Sequence, residues 1–268
     1  MLFIQSMEEI IEIDYQGLPL RIAARFRKGN RGALLFVHGL GCSKDTFKDV
    51  WISPGFENYS ILTFDLVGFG TSSKRKEFSY SMEDHADVCT LVIKKLNLDT
   101  IHLVAHSMGG AIGLLLIEKL PERFVSFANV EGNLIGEDCA MLSRKTIRVR
   151  YEEFEEFLSQ MKKEIGKAKD TSQVLHKWLC QSDPYGFYCS AKSLVKWSDS
   201  RRLLNLFVNL NMKKVYIYGD ENSEADILEL IRGKIKTIPI LNSGHFMMLD
   251  NPHEFYSSLK EFLEISSL

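Results

Sequence analysis

Apolar positions along this chain follow two rhythms. Short, nearly unbroken apolar runs occupy residues 33–37, 60–64, 101–105, 124–130, 214–218 and 235–240. Runs of this length without alternation read as strands buried on both faces. Between them lie longer patterns of helical period, such as residues 111–120, and the alternation predicts a mostly parallel sheet covered by helices. The opening differs: residues 9–14 and 20–26 alternate apolar and polar positions around Gln16-Gly17-Leu18-Pro19, the pattern of an antiparallel hairpin with a tight turn.

From Leu134 to about Asn205 the strand rhythm stops. Tyr151, Phe154, Phe157, Leu158 and Met161 recur at spacings of three and four, which marks an amphipathic helix. Further helices are expected at residues 173–180, 183–190 and 191–197, with Asp183 as cap and Pro184 in the first turn. The segment reads as a helical insertion between two halves of one sheet, dividing the chain into residues 1–133, 134–205 and 206–268. No internal repeat or low-complexity segment interrupts this plan.

Composition narrows the class of protein. At 268 residues, with 45% apolar and 25% charged side chains, the chain can bury a full core without disulfides or metals. Lys and Arg number 33 against 35 Asp and Glu, a net charge of -2, and no stripe of like charge forms. The electrostatic footprint of a nucleic-acid binder is therefore missing. Five cysteines, at 42, 89, 139, 180 and 189, show no metal-ligand spacing and read as reduced thiols of a cytoplasmic protein. The N-terminus lacks the basic segment of a secretory signal, and no apolar stretch reaches membrane-spanning length. Neither a membrane, a nucleic acid, a metal nor a cofactor is expected as partner.

The loops that follow the strands carry the chemistry. Ala105-His106-Ser107-Met108-Gly109-Gly110 lies between a predicted strand and a predicted helix. There, a serine among small neighbours forms a sharp turn that exposes its hydroxyl above a helix N-terminus. His38-Gly39-Leu40-Gly41 follows the strand at 33–37, where glycines let a backbone N–H face a developing oxyanion. Asp65-Leu66-Val67-Gly68-Phe69-Gly70-Thr71-Ser72 follows the next strand, and Asn242-Ser243-Gly244-His245-Phe246 follows the last.

In this combination and order, the four segments resemble those of the α/β-hydrolase family, from the hairpin to the final helix. The resemblance implies an eight-stranded, mostly parallel sheet flanked by helices, a helical cap inserted after the sixth strand, and a triad in the order serine, acid, histidine. On that footing Ser107 is the nucleophile and His245 the base, with the N–H groups of Leu40 and Met108 as oxyanion hole. His38 and His106 are expected to brace loops, while His85, His102, His176 and His253 have no partner pattern.

The acid departs from the family pattern. Its usual position, three residues past a strand-ending glycine, falls in Gly219-Asp220-Glu221-Asn222 on Asn222. An asparagine can orient an imidazole but cannot neutralise the imidazolium. Glu131 is the first choice, because a carboxylate directly after so apolar a strand needs a partner. Asp220 is the second, with Glu221, Asn222 or no acid behind it. A serine at the elbow, where epoxide- and halide-processing relatives carry aspartate, points to acyl transfer. The expected activity is that of a serine esterase on a small or medium ester with an apolar group. Carbon–carbon bond hydrolysis, thioester hydrolysis, acyl transfer to another acceptor, and ligand binding with lost turnover stand as alternatives. Phe154, Phe157, Trp178, Tyr185, Phe187, Tyr188 and Trp197 read as core between insertion and sheet, or as pocket lining. The carboxylates of Glu152, Glu153, Glu155 and Glu156 read as a solvated face.

Overall fold

The opening hairpin turns on Gln16 and Gly17, whose φ values of 54° and 83° are both left-handed, as a two-residue turn of this hand requires. The Gly17 N–H donates to Asp14 Oδ1 at 2.8 Å. Because the turn needs only two residues, Leu18 and Pro19 already pair with Tyr15 and Asp14, so the second strand starts two residues earlier than the sequence pattern suggests. The computed structural model describes residues 7–167 and 171–264.

Eight strands form one sheet: β1 (Met7–Tyr15), β2 (Leu18–Arg27), β3 (Arg31–Val37), β4 (Tyr59–Phe64), β5 (Ile101–His106), β6 (Phe124–Val130), β7 (Lys213–Gly219) and β8 (Thr237–Ile240). Their order across the sheet is β1-β2-β4-β3-β5-β6-β7-β8. The β1–β2 and β2–β4 pairs are antiparallel and the rest parallel. The eighth strand starts at Thr237 rather than at residue 235, because the Ile235 N–H is still bonded to Ile231 O of the preceding helix.

The helices are α1 (Met82–Lys95), α2 (Met108–Lys119), α3 (Ser143–Arg148), α4 (Tyr151–Ile165), α5 (Thr171–Cys180), α6 (Pro184–Asp199), α7 (Arg202–Asn209), α8 (Asp226–Ile231), α9 (Met247–Asp250) and α10 (Pro252–Glu264). The strand period of two divides the core between the faces of the sheet. Leu35, Val37, Leu103 and Ala105 pack with α1 and α2 on one side, while Leu34, Phe36, Val104 and Val130 pack with α10 on the other. No helix among the described residues is long and apolar enough to cross a membrane.

Among the described residues, five helices, α3 to α7, separate β6 from β7, and no strand lies between them. The two helices expected at 183–190 and 191–197 are one, α6. Asp183 caps it by accepting the Gly186 N–H at 2.7 Å, and no breaker follows Ser190. Helix α7 runs across residue 205, where the sequence pattern put the end of the insertion.

Candidate active site

Ser107 sits between β5 and α2 with φ 54° and ψ -124°, a strained conformation for any residue but glycine. The turn closes because its neighbours are small: a Cβ on Gly109 would lie 2.4 Å from Val37 O. The serine backbone is locked from three sides. Its N–H donates to Val130 O at 3.1 Å, and its carbonyl accepts the N–H groups of Gly110 at 2.8 Å and Asn133 at 3.1 Å.

Glu131 follows β6 and is also left-handed, with φ 40°. Its N–H continues the ladder to Ile217 O at 2.9 Å, which turns its side chain toward the end of β7. Oε1 accepts the Gly219 N–H at 2.9 Å and the Asn222 amide at 2.9 Å. Oε2 accepts the same amide at 3.0 Å and lies 2.6 Å from His245 Nδ1. The Glu131 side chain is 10% exposed and that of His245 18%, so the pair is shielded from water. A donor set this dense meets the need of a nearly buried carboxylate.

Asp220 is not at His245: its Oδ1 accepts the Ser243 N–H at 3.1 Å, pinning the start of the histidine loop. The loop can approach β7 because Gly219 has no side chain; a Cβ there would lie 2.3 Å from Gly244 O. Asn222 thus faces the carboxylate from the position where the family more often carries the acid. His106 braces the loop from the other side, donating from Nε2 to His245 O at 2.9 Å, with the two rings 4.5 Å apart. Burial holds the His106 imidazole well below its ordinary pKa and therefore neutral.

A second buried network fixes the loop after β3. His38 donates from Nδ1 to Gly39 O at 2.8 Å and accepts the Leu66 N–H on Nε2 at 3.0 Å. Asp65, fully buried, accepts the Lys44 N–H at 2.6 Å, Lys44 Nζ at 3.3 Å and the Thr71 N–H at 2.9 Å. The loop carrying Leu40 is thereby tied to the turn after β4.

Two cavities adjoin here, and Ser107 lines the first. One, of about 330 Å³, is lined by Ser107, Glu131, His245, Asn133, Asp138 and Asn222, among others. The other, of about 420 Å³, lies against α4 and α5 and is lined chiefly by Leu142, Phe157, Met161, Ile165, Leu175 and Leu179. Leu40, Cys42, Met141, Leu142 and Phe246 line both. Among the insertion's aromatic residues Phe157 lines the second of these cavities, whereas Phe154, Trp178 and Phe187 are buried in the packing. Glu152, Glu153, Glu155 and Glu156 are exposed. Burial pushes the Cys42 thiol up to about 12, so it lines the cavities as an unreactive neutral group.

Sequence reasoning singled out neither Asn133 nor Asp138, and treated Asn222 as a departure. The signal for Asn222 was nevertheless present, since an amide at that position can donate to a carboxylate brought in from another strand end.

A family profile described as the alpha/beta hydrolase fold matches residues 32–174, just over half of the chain. Among curated proteins, the chain is 40% identical over 88 residues to a probable lysophospholipase, BODYGUARD 4, from Arabidopsis thaliana, covering 32% of this chain and 21% of that one. It is 37% identical over 90 residues to Lipase 1 of Psychrobacter immobilis, covering 33% and 28%. The matches to the first five curated relatives span between 20% and 36% of those proteins' lengths. Among solved structures, an esterase from Exiguobacterium antarcticum superposes with a TM-score of 0.74 at 18% identity, covering 97% of this chain and all of that one. The N-acyl homoserine lactonase AidH superposes with a TM-score of 0.72 at 18% identity, covering 98% and 100%.

Proposed function

Because the chain belongs to the α/β-hydrolase fold family, we propose that it is a serine hydrolase cleaving carboxylic esters, with Ser107, His245 and Glu131 as its triad. The observation that carries this reading is the 2.6 Å contact between Glu131 Oε2 and His245 Nδ1, made in the cavity that also holds Ser107. With Nδ1–H bound to the carboxylate, Nε2 is the lone-pair nitrogen, in the correct tautomer to accept the serine proton.

Ser107 Oγ attacks the ester carbonyl while its proton passes to His245 Nε2. The backbone N–H groups of Leu40 and Met108 stabilise the oxyanion. His245 returns the proton to the leaving alcohol as the carbon–oxygen bond breaks. Water then repeats the sequence on the acyl-enzyme and releases the acid. Glu131 stabilises the imidazolium in both halves. The names of the relatives, a lipase and a probable lysophospholipase, and of the similar esterase structure support an ester as substrate class.

In this reading residues 134–205 act as a cap over a core made of residues 1–133 and 206–268, and the cap encloses the apolar cavity. Five free thiols suit a reducing compartment such as the cytoplasm.

The test is labelling by a fluorophosphonate together with hydrolysis of p-nitrophenyl hexanoate. Labelling that maps to Ser107 and is lost with turnover in Ser107→Ala is the expected result. A wild-type protein that neither labels nor hydrolyses the ester overturns the proposal.

A further inference from the structure

The cavity that holds Ser107 and its neighbour, which share Leu40, Cys42, Met141, Leu142 and Phe246, differ in chemistry. The one against α4 and α5 is walled by aliphatic side chains, with Lys145, Gln160 and Glu164 as its polar members. The other contains both triad partners of the serine and carries Glu137, Asp138, Glu224 and Asp226 besides Glu131. No lysine or arginine lines it among the described residues. Arg201 reaches only Glu137, at 4.0 Å and with both side chains more than half exposed. Asp138, Glu224 and Asp226 have no ion-pair partner among the described residues.

A second feature of this cavity is independent of charge. Asn133, a lining residue only 3% exposed, bonds Cys139 Sγ through Nδ2 at 3.6 Å and leaves its carbonyl Oδ1 without any hydrogen-bond partner. A buried acceptor in this state is destabilising unless a donor arrives. The cavity therefore combines negative potential with an unmet acceptor, and both favour a cationic group that carries N–H.

Proton transfer sets the orientation. His245 hands its proton to the leaving oxygen, and His245 lines only the acidic cavity. The alcohol part of the ester therefore occupies that side, and the acyl chain the aliphatic one.

We propose, building on the serine hydrolase reading, that the substrate is an ester joining an apolar acyl chain to an amino alcohol whose protonated amine is held in the acidic cavity. Cleavage consumes one water and yields the carboxylic acid and the free amino alcohol. Burial pushes the Asp138 carboxyl up to about 6, so it carries its charge at neutral pH, where such an amine is also charged.

Three hexanoate esters of nearly equal shape test this: 2-(dimethylamino)ethyl hexanoate, its carbon analogue 3-methylbutyl hexanoate, and the anionic 3-(hexanoyloxy)propanoate. Calorimetry with Ser107→Ala reads recognition without turnover, and kcat/KM of the wild type reads the same ranking during catalysis. The amine ester should bind about tenfold more tightly than the neutral one and the carboxylate at least tenfold more weakly, with the spread narrowing as salt is added. Asp138→Asn, and separately Glu224→Gln with Asp226→Asn, should bring the amine-to-neutral ratio toward one. Equal affinities, or a preference for the carboxylate, overturn the inference and leave the hydrolase reading standing. Retained preference in Ser107→Ala with no turnover of any ester by the wild type overturns the hydrolase reading instead. Should Ser107→Ala not fold, the wild-type kcat/KM ranking decides alone.

Discussion

Asn222 grips both oxygens of Glu131 with one amide nitrogen, 2.9 Å from Oε1 and 3.0 Å from Oε2. The amide brings a donor and no charge, so one carboxylate, not two, faces His245 from this side. Together with the Gly219 N–H, it holds a side chain whose backbone is already in a costly left-handed conformation.

Replacing Glu131 by Gln keeps the shape of this arrangement but removes the charge opposite the imidazolium. By analogy with the serine-protease aspartate, whose amide replacement costs about 10⁴ in kcat, turnover should fall by roughly 10³ to 10⁴. Asp220→Asn, which touches Ser243 rather than His245, should stay within about twofold of wild type. Ester hydrolysis by the two purified variants separates them. A slow Asp220 variant beside an active Glu131 variant would reverse the assignment.

Asn222→Asp should act differently from a simple loss of contact. A second carboxylate about 3 Å from Glu131 adds negative charge beside the imidazole, and that added potential favours a protonated His245. The acidic limb of the kcat/KM profile should therefore move upward by on the order of one pH unit, with activity recovering in alkaline buffer. Asn222→Ala should instead lower activity about five- to hundredfold at all pH values, the cost of a buried acceptor left short of a donor. A pH profile of each variant checks the distinction.

These effects trace the boundary of what sequence can convey. Strand order of appearance, the elbow at Ser107 and the histidine loop are local, since each rests on residues adjacent in the chain. The expectation that Glu131 needs a partner follows from one apolar strand and one charge. The left-handed turn at Glu131, which aims that carboxylate across β7 at Asn222, has no local signature because glutamate rarely adopts it. Likewise, Asn133 enters the site through the loop after β6, its N–H on Ser107 O, and Asp138 through the short helical turn that follows, and neither is adjacent to Ser107 along the chain. The late start of β8 was hidden for the opposite reason, as Ile235 and Lys236 are as compatible with a helix end as with a strand.

The Asp65 cluster should dominate stability near the site. With Asp65 fully buried and accepting from Lys44 and Thr71, Asp65→Asn leaves the Lys44 charge without its counter-ion and sets an amide N–H₂ against other donors. Breaking one partner of such a pair costs about 3–5 kcal/mol. Urea unfolding should show a lower midpoint with an unchanged slope. An unaltered midpoint would mean that water reaches Lys44 more freely than its burial implies.

Asp138 makes stability depend on pH in the direction opposite to most carboxylates. Burial raises its pKa from 3.8 to about 6, against the pull of the Leu134 and Ile135 N–H groups that its Oδ2 accepts at 2.7 and 3.0 Å. Between these two values the folded protein holds a proton that the unfolded chain has released, so this group's contribution is fully present below about pH 4 and is lost as pH rises through 6. The loss amounts to about 3 kcal/mol at most. Asn at 138 keeps an acceptor for both N–H groups and cannot ionise. Relative to Asp138→Asn, the wild type should therefore lose stability from pH 4 to pH 7.5, most steeply between 4 and 6. Urea unfolding of both proteins across that range reads the difference, and parallel curves would show that the carboxyl is hydrated in the folded state.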